Sequence, residues 1–395
     1  MGRIAARLKG IPGSATLRIM ERVRELRRQG ADVMTFGNRP ATPAPAREAT
    51  VRAAGEPWTS SYTSPAGLPE LRQAISGALA ADGIAADPNR QVIVTVGAKE
   101  ALFVTALALI DPGDEVIVPS PAWVSHDPTV RLAGGVPVAV PLREERRFHL
   151  DPADLEGAIT PRTTAILYNT PHNPTGVVME QAELEAIAEI ARRHDLLVIA
   201  DECYRHYVYD GHRHRSIAAL PGMAERTLTV STVSKIFNMF GWRVGWVVGP
   251  EALIQAILVV HEHAVGSATS FAQAGALAAL QLDESAVRPV LDQYRQVRDV
   301  MVEGLNRTPG ITAHTPEGGY MLFPNVRALG DDAEVSRFLL EEARVQTVPG
   351  SAFGPGGEGH VRLNFTCTPE EGREAVERIR AAVTTRWRGP TLAAR

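Results

Sequence analysis

Residues 91–110, QVIVTVGAKEALFVTALALI, decide the fold class of the chain. A short β-branched run ends at a glycine and passes directly into an apolar segment of helical length. Further β-branched runs alternate with helical patterns, and they are EVIVPSP (115–121), VPVAVPL (136–142), AILYNTP (165–171), LLVIADECY (196–204), TLTVSTVS (227–234) and VGWVVG (244–249). Several runs are apolar on both faces, which is typical of strands covered by helices on each side. The sequence therefore predicts an α/β domain with a mostly parallel sheet.

The segments on either side of this domain have a different pattern. Residues 16–29 have the apolar spacing of an amphipathic helix, and the Gly/Pro-rich residues 36–46 interrupt it. After residue 286 two strands alternate with helices, which indicates a separate α+β unit. For 395 residues we predict three parts: an N-terminal segment (1–45) joining the small domain, a large domain (46–285) and a small C-terminal domain (286–395).

Composition excludes several classes of function. The formal net charge of -4 gives no global positive field, so a nucleic-acid partner is not expected. No apolar run approaches the ~20 residues that span a bilayer, and the N-terminus lacks the apolar region of a secretory signal. Two cysteines are too few for a disulfide framework and have no metal-ligand spacing. We therefore expect a cytoplasmic protein with no membrane partner and no metal site.

Residues 231–246, STVSKIFNMFGWRVGW, carry the strongest chemical signal. The hydroxyls of Thr232 and Ser234 and the guanidinium of Arg243 are groups that bind a phosphate dianion. The amine of Lys235 beside them can condense with an aldehyde. Together they indicate an anchored aldehyde cofactor, whereas Lys235 taken alone is better explained by a surface lysine.

Asp201 and Tyr204 follow the buried run LLVIA. A carboxylate at the end of a buried strand requires a cation or a strong donor, and a protonated pyridine nitrogen is such a partner. Asp201 would keep that nitrogen charged, and the Tyr204 hydroxyl would reach the phenolate oxygen of the same ring. A helix N-cap or an ion pair with an arginine is the alternative for Asp201.

Two further strand ends add to this set. In NTPHNPTG (169–176), Pro171 and Pro174 predict a rigid turn that holds Asn173 within reach of the phenolate oxygen. Gly97 leads a strand directly into a helix, where free N–H groups form a cradle for phosphate. Each signal is weak alone, since the first is also an ordinary loop and the second a single glycine.

Taken together, these segments resemble the fold type I pyridoxal-phosphate-dependent aminotransferases of class I/II, in the aspartate aminotransferase-like branch. The resemblance covers nearly the whole chain and also includes SYTSPAGLPELR (61–72), PSPAWVSH (119–126), VPGSAFG (348–354) and GHVRLNF (359–365). It implies an α/β fold with a large domain built on a mostly parallel seven-stranded sheet and a smaller α+β domain. It also implies a homodimer with active sites at the subunit interface, amino-acid and 2-oxo-acid substrates, and pyridoxal 5′-phosphate as cofactor.

The resemblance also implies a role for individual residues. Lys235 would form the Schiff base and act as the acid/base, while Asp201, Tyr204 and Asn173 would hold the pyridine ring. The residues implied to bind the phosphate are Gly97, Ala98, Lys99, Thr232, Ser234, Arg243 and, from a second subunit, Tyr62. Those implied to contact the ring face or the substrate are Trp123, Asn173, Arg362 for the α-carboxylate, and the loop residues Gly37, Asn38 and Arg39.

One loop departs from the family pattern. Relatives commonly have Gly-Glu-Pro-Asp-Phe where this chain has Gly37-Asn38-Arg39-Pro40-Ala41. Arg39 adds a cation there, and Lys99 resembles the residue that meets a distal carboxylate in the aspartate-specific branch. We therefore favour an acidic amino acid such as aspartate or glutamate, although a solvated Arg39 is the alternative.

Other interpretations stay open from the sequence. The same cofactor serves β- or γ-replacement, cyclisation and oxidation, and a non-catalytic ligand-sensing domain is a third class. His212 and His214 lie in one polar loop, but no third metal ligand is nearby. His261 and His263 are interpreted as residues on the surface of a helix, with a substrate contact as the alternative.

Overall fold

A computed structural model describes residues 4–11, 13–37 and 40–387. Its main sheet has seven strands in the order β1-β7-β6-β5-β4-β2-β3. The strands are β1 (Val92–Thr95), β2 (Glu115–Ser120), β3 (Val136–Pro141), β4 (Thr163–Asn169), β5 (Leu197–Asp201), β6 (Thr227–Thr232) and β7 (Gly245–Val248). Only β7 runs antiparallel to its neighbours, β1 and β6. The prediction of a mostly parallel seven-stranded sheet is confirmed.

Helices cover both faces of this sheet. In chain order the helices are α1 (Ala15–Arg28), α2 (Ala44–Ala54), α3 (Pro69–Ala80), α4 (Ala98–Leu109), α5 (His126–Ala133), α6 (Pro152–Gly157), α7 (Gln181–Arg193), α8 (Glu251–Ala264), α9 (Ser270–Leu280), α10 (Arg288–Asn306), α11 (Asp332–Glu341) and α12 (Pro369–Arg386). Along β4, Leu167 joins one hydrophobic cluster while Ile166 and Tyr168 join the other. Successive side chains of a strand point to opposite faces, so the strands are apolar on both sides because both sides are covered.

Strand register brings the polar strand ends to one edge of the sheet. Asn169 at the end of β4 lies opposite Asp201 at the end of β5. Because β7 is antiparallel, its first residue, Gly245, lies opposite Thr95 at the end of β1 and Thr232 at the end of β6. Residues far apart in the sequence thus meet at the carboxyl ends of the parallel strands, where ligands bind in such sheets.

A second, three-stranded sheet has the order β8-β10-β9. Its strands are β8 (Met321–Leu322), β9 (Val348–Pro349) and β10 (Val361–Asn364). The N-terminal helix α1 lies against this part of the chain, because Val23 and Leu26 share a buried cluster with Leu340. Arg22 Nε also donates to Glu341 Oε1 at 2.8 Å. The exact boundaries of the two domains stay a prediction.

None of the helices in the described ranges combines the length and apolar character needed to cross a bilayer. Both cysteines, Cys203 and Cys367, are buried free thiols.

Candidate active site

One pocket of about 560 Å³ lies at the carboxyl edge of the main sheet. This volume includes space that is open to solvent. Ten of its lining residues belong to the set named from the sequence: Ala98, Lys99, Trp123, Asn173, Asp201, Tyr204, Thr232, Ser234, Lys235 and Arg243. The pocket contains three cations, Lys99, Lys235 and Arg243, against one lining carboxylate, Asp201. This excess of positive charge favours anionic ligands.

Gly97 forms the turn between β1 and α4, next to the lining residue Ala98. It has φ +76°, and a Cβ atom on it would lie 2.5 Å from Arg243 Nη2, so the turn requires a glycine. Its N–H donates to the Thr95 carbonyl at 2.8 Å. The N–H groups of Ala98 and Lys99 belong to the first turn of α4, where a helix supplies no acceptor. Gly97 thus contributes space, and the next two residues contribute donors.

The hydroxyls beside this turn form a small network. Thr232 Oγ1 donates to the Val244 carbonyl at 2.6 Å, and the Ser234 N–H donates to Thr232 Oγ1 at 3.0 Å. Thr232 and Ser234 are both buried, and their hydroxyl oxygens lie 2.8 Å apart. Thr232 therefore fixes the position of Ser234 against the pocket wall.

Asp201 lines the same pocket and is buried. Cys203 N–H donates to its Oδ1 at 3.1 Å, and His126 Nε2 lies 3.3 Å from its Oδ2. Burial alone would raise the pKa of Asp201, but the hydrogen bond and charge of His126 and the contacts of Cys203 lower it. His126 also makes an edge contact with Trp123, at 5.4 Å between ring centres. Asp201 is thus a buried carboxylate held in its charged form.

Asn173 is buried in the turn that follows β4. Its N–H donates to Asn169 Oδ1 at 2.8 Å, and its side-chain Oδ1 accepts from Arg362 Nη1 at 3.4 Å. The peptide bonds before Pro171 and Pro174 are both cis. The turn therefore places Asn173 between the pocket and the strand β10 that carries Arg362.

Lys235 lies between aromatic side chains at the centre of the pocket. Its Nζ is 5.1 Å from the centre of the Tyr204 ring and 5.0 Å from that of Phe240. The amine also donates to the Tyr320 hydroxyl oxygen at 3.5 Å. Burial, followed by the charge of Tyr320, raises the pKa of the Tyr204 phenol, which keeps its hydrogen available for donation.

Lys99 stands at the mouth of the pocket with its Nζ 5.1 Å from the centre of the Trp123 ring. Although the residue as a whole is exposed, partial desolvation of the amine lowers the pKa of Lys99. The neighbouring charges of Arg243 and Lys235 lower this pKa further. An anion bound between these cations would offset their mutual repulsion.

Comparison with known proteins decides the family. The family model described as "Aminotransferase class I and II" matches residues 30–379. The chain belongs to this family. As a member it is a pyridoxal-phosphate-dependent aminotransferase, with the fold type I architecture predicted from its sequence.

Relatives and solved structures agree with this assignment. The chain is 40% identical to a "Probable aspartate/prephenate aminotransferase" of Aquifex aeolicus, over 96% of this chain and 98% of that protein. It is 39% identical to an aspartate aminotransferase of Musicola paradisiaca, covering 97% of each. A Thermus thermophilus aspartate aminotransferase with maleate superposes with a TM-score of 0.90 at 38% identity, over 96% and 100% of the two chains. An aromatic aminotransferase from Pyrococcus horikoshii has a TM-score of 0.86 at 38% identity, over 92% and 99%.

The residues of this aminotransferase fit its cofactor. The turn at Gly97 leaves a cradle that a single Cβ would fill, beside the guanidinium of Arg243 and the hydroxyl of Ser234. Asp201 offers a buried, charged carboxylate for a protonated ring nitrogen. These two groups match a phosphate and a pyridine. Lys235 lines the same pocket and follows β6, which lies between β1 and β5 in the sheet.

Some predicted residues lie outside the lining of the pocket. Arg362 contacts the lining residue Asn173, and Tyr62 is 92% exposed on the surface of the protomer. Gly37 lines a different cleft, next to Phe36 and α12. Asn38 and Arg39 are outside the described residues, so the prediction for that loop stays a prediction.

Sequence reasoning missed several residues of this aminotransferase site. Asn169, Cys203 and Phe240 line the pocket, while His126 and Tyr320 contact Asp201 and Lys235. A signal existed for four of them, because Asn169, His126, Cys203 and Phe240 lie within motifs quoted above. Tyr320 comes from the distant β8 segment and had none.

Two histidine predictions have different outcomes. The surface interpretation is wrong for His261, which is fully buried on α8, whereas His263 is exposed. His214 Nε2 lies 3.1 Å from Glu202 and His212 Nδ1 lies 3.9 Å from Glu317, so these two histidines have separate partners. Within the described ranges, no group of three His, Cys, Asp or Glu side chains is arranged to hold a metal ion.

Proposed function

We propose that this aminotransferase moves the amino group of a dicarboxylic amino acid, aspartate or glutamate, to a 2-oxo acid. The observation that carries the proposal is the position of Lys99, whose amine lies over Trp123 at the mouth of a pocket rich in cations. A second carboxylate on the substrate would meet this amine and relieve its repulsion from Arg243 and Lys235. Relatives named aspartate aminotransferase support the same substrate class.

The proposed roles of the other residues follow from their positions. When bound, pyridoxal phosphate supplies an electron sink for the α-carbon of the amino acid. Lys235 would hold the cofactor and then, with its Nζ free, move the proton between the two carbons that exchange the amino group. Asp201 would hold the ring nitrogen in its protonated form, because its own charge is stabilised by His126 and Cys203.

Positioning of the substrate and of the ring falls to the remaining residues. Arg362 would bind the α-carboxylate through two parallel N–H donors, and its contact with Asn173 sets the direction of that fork. Tyr204, whose phenol keeps its hydrogen, would donate to the phenolate oxygen of the ring. Trp123 would cover one face of the ring.

The assembly belongs to the same proposal. We infer a homodimer in which Tyr62 completes the phosphate site of the other subunit, since it is 92% exposed on its own protomer. A cytoplasmic location also stays a prediction.

The substrate class can be tested by single half-reactions. The holoenzyme is mixed with aspartate, glutamate, alanine or phenylalanine without an acceptor, and both the cofactor spectrum and the mass of the oxo acid are followed. We expect one of the two acidic amino acids to react fastest. Lys99→Met should lower kcat/KM for that amino acid about tenfold or more at saturating cofactor, whereas kcat/KM for alanine should change little. Lys9→Met removes an exposed lysine and serves as the control.

Three results would contradict the proposal. Faster reaction with alanine or phenylalanine than with either acidic amino acid would exclude the dicarboxylic class. An equal loss of kcat/KM for all four amino acids in Lys99→Met would mean that Lys99 contacts the cofactor and not the substrate. Release of a product other than the oxo acid would instead indicate replacement, cyclisation or oxidation.

A further inference from the structure

His261 is buried where the sequence suggested a surface position, and its partner is an acid of α4. His261 Nδ1 donates to Glu100 Oε1 at 2.9 Å, and none of its surface is exposed. Its other ring nitrogen, Nε2, is buried and has no hydrogen-bond partner among the described residues. Placing the hydrogen on Nδ1 is therefore the arrangement that avoids a buried, unsatisfied N–H.

Glu100 uses its second oxygen to hold the backbone before the glycine turn. Its Oε2 accepts from the Val96 N–H at 3.0 Å, while Oε1 faces His261. The side chain is 13% exposed, so both contacts are largely protected from water. Hydrogen bonds to a charged acceptor in such a setting are among the stronger ones in proteins.

The same backbone segment is held from the other side by Arg243. Arg243 Nη2 donates to the Val96 carbonyl at 3.2 Å. The guanidinium lies where a Cβ atom on Gly97 would project. Val96 is thus fixed at its N–H by Glu100 and at its carbonyl by Arg243. The next residues along the chain, Ala98 and Lys99, carry the first-turn donors of α4 and line the pocket.

We propose that His261 and Glu100 are positioning residues for the phosphate-binding turn, acting through the Val96 backbone on Arg243 and on the amides of Ala98 and Lys99. The inference rests on the proposed placement of the cofactor phosphate at this turn. Neither residue touches the pocket, so the effect of the pair is on geometry. His261 anchors the carboxylate from α8, which prevents Glu100 from rotating away from the Val96 N–H.

The test measures recognition of the phosphate without turnover. The full-length apoprotein is titrated with pyridoxal phosphate and with pyridoxal. The dissociation constant for pyridoxal divided by that for pyridoxal phosphate reports the contribution of the phosphate. We expect His261→Leu to lower this ratio about tenfold, since it removes a buried hydrogen bond to a charged group. His261→Asn places an amide N–H near the position of Nδ1 and should restore the ratio to within about threefold.

A second variant and a control separate positioning from general damage. Glu100→Leu should lower the ratio as much as His261→Leu, and the double variant should lose no more than the larger single loss, because both act through one network. His360→Leu removes another fully buried histidine, one that faces Glu144 at 3.3 Å. It should lower thermal stability while the ratio stays at the wild-type value.

The possible outcomes are distinguishable. Unchanged ratios in His261→Leu and Glu100→Leu would overturn the inference and leave the placement of the phosphate intact. This includes equal weakening for pyridoxal and pyridoxal phosphate, which leaves the ratio unchanged and would indicate a general packing role. A wild-type protein that does not prefer pyridoxal phosphate over pyridoxal would overturn the placement of the phosphate itself, and the inference with it.

Discussion

Lys235 owes its position to residues from three parts of the chain. Tyr204 follows β5, Phe240 follows β6, and Tyr320 precedes β8, and all three surround the same amine. Side chains held in this way lose little further freedom when a ligand arrives, which favours a defined reaction geometry. The amine also lies in the same pocket as Asp201, the group proposed to hold the ring nitrogen.

The small number of lysines makes the role of Lys235 directly testable. The sequence contains three lysines, Lys9, Lys99 and Lys235. Borohydride reduction of the holoenzyme should attach the cofactor to the peptide that contains Lys235, as seen by mass spectrometry. Lys235→Ala should lose this label and at least about 10²–10⁴-fold in kcat, because it removes the proton-transfer group. Its melting temperature should change little, since no charged partner is lost.

Lys9→Ala, an exposed position, should keep both label and activity. Attachment of the cofactor to Lys99 after borohydride treatment would refute the assignment. So would a Lys235→Ala enzyme that still turns over.

Prediction from the sequence worked best for residues next to a strand end. Asp201 and Ser234 could be identified because each follows a β-branched run, and strand ends meet at one edge of a parallel sheet. Tyr320 was missed because it precedes a strand and comes from a distant part of the chain. His126 was missed because it lies several residues beyond the end of β2, at the start of α5, and reaches Asp201 from there. His261 was misplaced because the spacing of an apolar helix does not reveal that one polar side chain has a buried acid opposite.

At the scale of elements, β7 controls the position of α4. Gly245, the first residue of β7, stands against the start of α4, and a Cβ atom there would lie 2.5 Å from the Ala98 nitrogen. The same Cβ would lie 2.7 Å from the Gly97 carbonyl carbon. Contact with backbone cannot be relieved by a change of rotamer, so the strand and the turn must move together.

We therefore expect Gly245→Ala to weaken cofactor binding while the fold persists. The extra methyl group should displace the turn at Gly97 and lower stability by about 1–3 kcal/mol. Calorimetry and titration with pyridoxal phosphate would measure the two effects. Gly77→Ala is the matched control: it lies exposed in α3 with open space around it and should raise stability by roughly 0.5–1 kcal/mol without affecting binding. Unchanged cofactor affinity in Gly245→Ala would contradict the account of the turn.

The alternation of strands and helices was sufficient to predict the main sheet, but not the direction of β7. Its run, VGWVVG, resembles the parallel strands in composition, because it is equally buried on both faces. Direction depends on the long-range pairing with β1 and β6, which leaves no local pattern. In the small sheet β8 has only two residues, because only Met321 and Leu322 pair with β10.

At the scale of the whole molecule, the proposed dimer assigns a role to the exposed Tyr62. Tyr62 is 92% exposed, so a second subunit that covered its ring would remove apolar surface from water. The pocket of the same protomer is lined without it. Both observations fit a ring that acts in the neighbouring subunit.

Complementation between two defective variants tests this arrangement. Lys235→Ala and Tyr62→Ala chains with different affinity tags are co-expressed, and the mixed dimers are purified. If Tyr62 acts across the interface, one site of the mixed dimer combines Lys235 of one chain with Tyr62 of the other and is fully wild-type. We then expect about half of the wild-type kcat per dimer, with the wild-type affinity for pyridoxal phosphate at that site.

A dimer that pairs a Lys235→Ala/Tyr62→Ala chain with a wild-type chain has the same mutations but no complete site. It should show the weaker cofactor binding of Tyr62→Ala. Equal behaviour of the two mixed dimers would mean that Tyr62 serves its own protomer or neither site.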